Sequence, residues 1–105
     1  MKNIPSIKFE GKIIVAKSPK MKLWRKFLEF YDKSEDELKE MTLSEYTDAH
    51  IELISLTFSE IPAEKLEDVL EVGEIKNLTA EIFRWLQKIF FTGTENLPNA
   101  ETGTE

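Results

Sequence analysis

Residues 20–33 read K-M-K-L-W-R-K-F-L-E-F-Y-D-K, and their periodicity predicts an amphipathic helix. At about 100° per residue, Met21, Leu23, Trp24, Phe27, Leu28, Phe30 and Tyr31 fall on one half of the wheel, with Lys22, Arg25, Lys26, Glu29, Asp32 and Lys33 on the other. Ser18-Pro19 supplies a start, because serine caps a helix and proline suits its first position, where the missing N–H is not needed. A stripe this rich in aromatic rings has to be covered, and what covers it is read from the flanks.

Upstream, residues 7–16 hold two short β-prone runs, Ile7 to Phe9 and Ile13 to Ala16, on either side of Glu10-Gly11. They predict a β-hairpin, with the register open because Glu10 is a poor first residue for a tight type I′ turn. Downstream, residues 34–43 are acidic, with room for one helical turn, and Thr42 or Ser44 can cap a helix over 44–58. On that helix Tyr46, Ala49, Ile51, Leu53, Ile54, Leu56 and Phe58 cover more than half the circumference, so it lies at the centre of a bundle or under a partner. Ile61-Pro62 breaks it and primes a short helix over 63–71 that buries Ala63, Leu66, Val69 and Leu70, with Gly73 as a left-handed cap. A last helix over 75–91 carries Ile75, Leu78, Ile82, Trp85, Leu86 and Ile89 as its core stripe, Phe83 and Phe90 at the edge of that stripe and Phe91 on the polar side. Residues 92–105 have no apolar periodicity and are expected to be a flexible, disordered tail.

The expected architecture is therefore mainly α: one small domain over residues 1–91, of about four helices with an N-terminal β-hairpin. The chain's 105 residues suffice for one core and not for two, and no cysteine is present to staple it or to ligate zinc. No apolar run approaches the roughly 18 residues that span a bilayer, and the first residues lack a secretory pattern, so no membrane partner and a cytoplasmic location are expected. The net charge of −6 argues against nucleic acid. It is unevenly spread: residues 1–33 carry nine basic and three acidic side chains, the rest five and seventeen. Such polarity favours head-to-tail self-association or a polar partner.

Catalytic and metal chemistry find no support in the residues. His50 projects into the apolar arc of its helix while Glu45, Asp48 and Glu52 face the other way, so it is expected to be a core or interface histidine. The six serines sit in no nucleophile elbow, and the four dispersed glycines make no phosphate-binding loop. No enzymatic activity, metal or organic cofactor is expected. What stands out is apolar surface, on the helix over 44–58 and at Phe83, Phe90 and Phe91: either a small core uses it up, or Phe83, Phe90 and Phe91 are the candidate protein-binding residues, with the hairpin edge as a second contact for self-association.

The order of segments carries a resemblance. I-K-F-E-G-K-I-I-V-A-K at 7–17, K-L-W-R-K-F-L-E-F-Y at 22–31, I-E-L-I-S-L-T-F at 51–58, A-E-K-L-E-D-V-L-E-V-G at 63–73 and I-F-R-W-L-Q-K-I-F at 82–90 together resemble the tail assembly chaperones of long-tailed bacteriophages, especially those of low-GC Gram-positive hosts. The resemblance implies a non-enzymatic chaperone that binds the helical tape measure protein, helps recruit tail tube subunits and is absent from the finished virion. Many proteins of that family occur as a short product and a longer one made by frameshifting near the end of the first reading frame. The alternative reading is a small acidic regulatory or antitoxin-like module that engages a basic partner through Glu35, Asp36, Glu37 and Glu40.

Overall fold

The turn at Glu10-Gly11 settles the hairpin register. In the structure, a computed structural model that describes residues 4–93, both turn residues take positive φ, 51° and 80°, which is the type I′ geometry of a two-residue loop. Strand β1 (Ser6–Phe9) therefore pairs with β2 (Lys12–Val15) as Ser6↔Val15, Ile7↔Ile14, Lys8↔Ile13 and Phe9↔Lys12. Ile7 and Ile14 share the inward face, and Ile7 is buried with Pro5 and Ala16. Glu10 holds a left-handed conformation that a side-chain-bearing residue adopts at a cost. Glu10→Asn or Glu10→Gly is accordingly expected to raise stability by about 0.5–1 kcal/mol, read as a higher denaturation midpoint.

Helix α1 (Met21–Tyr31) buries Trp24, Phe27 and Phe30 on the predicted stripe. It starts later than Ser18-Pro19 suggested. Lys20 is the cap residue, with no side-chain cap, and Lys20 O receives the N–H groups of Leu23 and Trp24 at 3.0 and 3.3 Å. The reason lies upstream: Ala16 is buried and donates its N–H to Pro5 O at 3.0 Å, so the chain leaves the hairpin extended before it can turn. On the polar side Glu29 lies 3.8 Å from Lys26, an exposed contact of little energetic weight.

The acidic segment forms a complete short helix, α2 (Glu35–Lys39), because Ser34 and Glu37 close a capping box. The Ser34 N–H donates to Glu37 Oε1 at 2.9 Å, and this bond, with the serine hydroxyl, holds the Glu37 carboxyl below its usual range. Thr42 and Glu45 repeat the device at the start of α3 (Leu43–Thr57). Helix α3 is central: it packs on α1, on α4 (Ala63–Val69) and on α5 (Ile75–Thr92). Phe27, Ile54, Phe58, Ile61, Leu66 and Ile82 are fully enclosed where these elements meet. Ala63 is exposed, contrary to expectation, because it opens α4 and only Leu66 of that helix is buried.

Gly73 is not the left-handed cap. Helix α4 stops at Val69 with Leu70 extended, and Val72–Glu74 form a single 3₁₀ turn closed by Glu71 and Glu74. The left-handed glycine is Gly93, at φ 76°, whose N–H reaches Ile89 O at 2.7 Å and ends α5. Thr92 is thus helical, and the remaining expected tail, 94–105, lies outside the described residues.

Candidate protein-binding surface

Heptad-spaced rings on two helices make the most distinctive side-chain arrangement in the fold. Trp24 and Tyr31 are seven apart on α1, as are Phe83 and Phe90 on α5, so each pair lies two turns apart on one face. The four interleave as a ladder. Tyr31 and Phe83 stack at 4.2 Å, Phe83 and Trp24 at 5.9 Å, and Trp24 and Phe90 at 4.9 Å, with the planes within 21° throughout. Phe27 flanks Phe83 at 6.1 Å. The order 31, 83, 24, 90 runs down α1 while it runs up α5, which sets the start of α1 beside the end of α5.

Burial is uneven along the ladder, greatest at Trp24 and least at the Phe90 end. Trp24 is buried and Phe83 half-buried, whereas Phe90 is 53% exposed and Phe91, edge-on to it at 5.3 Å, is 76% exposed. Of the three candidate binding residues, then, Phe90 and Phe91 stand together at the surface, and Phe83 is wedged among Trp24, Phe27 and Tyr31. Met21 extends the patch from α1 at 57% exposure. Met21, Trp24, Leu86, Ile89 and Phe90 line a hollow of about 110 Å³. A second hollow of about 310 Å³, floored by Leu23 and Leu56, adjoins it through Pro19 and Lys20 and is edged by Lys17 and Lys22. Lys17 also pairs with Glu60 at 3.0 Å. Met21, Leu23 and Leu56 reach the surface although each sits on its helix's apolar arc. How much of each arc the neighbouring elements cover is set by tertiary packing, which no local pattern encodes.

Comparison with protein families, characterised proteins and solved structures finds no match to this chain. The surface therefore has to be read from its own chemistry. Aromatic rings and methionine over an apolar hollow supply anchors that adapt to varied apolar side chains. Lysines at the rim favour an acidic flank on whatever docks.

Elsewhere, the one histidine has a structural role. His50 is buried, edge-on to Phe30 at 4.9 Å, and its Nδ1–H donates to Tyr46 O at 2.9 Å. Among the described residues no group of three His, Asp or Glu side chains is placed to hold a metal ion, and no helix is long and apolar enough to cross a membrane. Burial in the ladder, with Tyr46 adding to it, raises the Tyr31 phenol above its ordinary 10.0, while Arg84 pulls the other way. The folded state favours the neutral phenol. Its contribution to stability is therefore complete below the unfolded value and lost as pH rises through the higher folded one. A pH titration of thermal stability is expected to show an alkaline decline that is smaller in Tyr31→Phe.

Proposed function

We propose that the chain is a non-enzymatic assembly chaperone of the phage tail type, which covers an amphipathic helix of the tape measure protein and helps recruit tail tube subunits. The observation that carries this reading is the exposed Met21, Phe90 and Phe91 cluster beside two adjoining hollows, the larger of them edged by Lys17 and Lys22. Exposed rings cost solubility unless something covers them, and a groove of this kind takes the apolar face of a helix. The order of hairpin, aromatic helix and terminal aromatic helix, with its resemblance to tail assembly chaperones, selects the class of client. The mostly acidic remainder of the chain keeps the free protein soluble while the client's apolar stripe is shielded.

The test is titration of a purified helical tape-measure fragment into the full chain by calorimetry. Met21→Ser and Phe91→Ser are each expected to weaken binding by about tenfold or more, with melting temperatures close to wild type because both side chains are exposed. Added salt should weaken it further if the lysine rim contributes. Stable variants with undiminished affinity would remove this surface, and with it the reading.

A further inference from the structure

We infer that the hairpin joins a second copy of this chain through β2, antiparallel about a twofold axis at Ile14, to make a four-stranded sheet. Half of the backbone groups of β2 are already used within the hairpin. The Ala16 N–H to Pro5 O bond marks 5↔16 as a hydrogen-bonded pair. Alternation along an antiparallel ladder then makes Ile7↔Ile14 and Phe9↔Lys12 hydrogen-bonded too, and leaves the N–H and C=O of Ile13 and Val15 pointing away from β1. No further strand pairs with β2 among the described residues.

The side chains point the same way. The solvent face of an antiparallel sheet is ordinarily polar. Here β1 follows that rule with Ser6 and Lys8, but β2 places Ile13 at 70% and Val15 at 51% exposure on the same face. The β1 edge differs in setting, since Ser6, Ile7 and Lys8 form one wall of a groove against Asn77 and Leu78 of α5. Apolar β-branched residues are thus concentrated on the strand whose edge is open. That edge carries neither proline nor bulge to discourage pairing.

Twofold symmetry then selects the register. Pairing Ile13 with Val15 of the second copy, and Val15 with its Ile13, engages every outward-pointing group of both strands in four backbone bonds. A 13↔13 register would need Gly11, whose φ of 80° is not extended, and a 15↔15 register would need Lys17, which lies beyond the end of β2 at Val15. In the 13↔15 register Lys12 faces Ala16 of the second copy, and the two Lys12 side chains end up about 13 Å apart along the seam. The edge lysines therefore do not oppose each other. A two-stranded sheet is marginal by itself, whereas a four-stranded one is not.

The seam uses neither the Phe90 and Phe91 patch nor the hollow beside it, so it stands or falls apart from client binding. Sedimentation equilibrium of the full chain from micromolar to near-millimolar concentration is expected to show a monomer–dimer equilibrium. Ile13→Lys and Val15→Pro should each weaken the dimer by about tenfold or more. Ser6→Lys, on the outward face of β1, should not. Ile13 points to solvent and Val15→Pro deletes only an outward N–H, so thermal melts should show all three folded; if the proline variant unfolds, the lysine variant decides. Because the chain has no cysteine, register is read by single substitutions under oxidation. Ile14→Cys should crosslink across the axis, where the Cα atoms of a non-hydrogen-bonded pair approach to about 4.5 Å. Ile13→Cys should not, being diagonal to its copy at about 7–8 Å. A monomer at every concentration, or a dimer that survives both edge substitutions, overturns the inference, and a crosslink at 13 without one at 14 overturns the register. A monomer whose Ile13→Lys variant loses only the tape-measure fragment would assign the edge to the client instead.

Discussion

Trp85→Ala is expected to lower stability by about 3–5 kcal/mol, a large fraction of the roughly 5–15 kcal/mol that holds a domain of this size together. Trp85 is buried with Ile82 and Leu86 on the core face of α5, and truncation would leave a ring-sized cavity there. Trp24→Ala should cost a similar amount for a partly different reason, since it removes both the core-facing ring and the stacking partner of Phe83 and Phe90. A conservative change separates the causes at position 85. Trp85 Nε1 is buried and meets no hydrogen-bond acceptor among the described residues. An unmatched buried donor costs about 1–3 kcal/mol, so Trp85→Phe gives back part of what its smaller ring loses and should stay within about 1 kcal/mol of wild type. Urea denaturation of the three variants, with the remaining tryptophan as the fluorescent reporter in each alanine variant, measures all of this. An unchanged midpoint in both alanine variants would reject the placement of these helices.

Much of this core was legible because aromatic and branched side chains recur at helical spacing on residues 21–31 and 75–92, where a burial stripe is the only arrangement that covers them. The breadth of the apolar arc on α3 likewise announced a central helix, and α3 does contact α1, α4 and α5. Thr57 and Thr79 were not legible. Both are buried, and each hydroxyl donates at 2.8 Å to a carbonyl one turn back, Leu53 O and Ile75 O, so that a residue counted as polar presents its methyl to the core. The hairpin register was undetermined for a related reason. Glu10 takes the left-handed conformation that turn propensity reserves for asparagine or glycine, and only the surrounding strands enforce it. Glycine placement misled similarly: Gly73 and Gly93 both follow apolar helical stretches, and which one caps depends on where the chain turns in space.

The candidate site divides at Phe83, and Phe83→Ala is expected to lower stability by about 2–3 kcal/mol, below the range of a fully buried ring because Phe83 is half-buried. On a helical wheel Phe83 and Phe90 are equivalent, two turns apart at the edge of one stripe. The structure separates them because α1 and α5 run antiparallel, which puts Phe83 between Tyr31 and Trp24 and leaves Phe90 beyond Trp24 at the open end. Three rings lean on Phe83 and would lose their common partner. Loss of client binding in Phe83→Ala would then follow from unfolding, whereas in Phe91→Ser it would occur in a protein whose stability has moved by about 0.5 kcal/mol or less. Phe83→Leu restores apolar volume without the stacking and should recover about half of the lost stability together with binding. Thermal melts and calorimetric titrations on the same three variants give the comparison. If Phe83→Ala melts at the wild-type temperature yet fails to bind, the ring belongs to the docking surface and the ladder contributes little to the fold. If it unfolds while Phe91→Ser stays folded and binds weakly, the inner rings hold α1 against α5 and the outer ones face the client, so the single row of rings serves both purposes at its two ends.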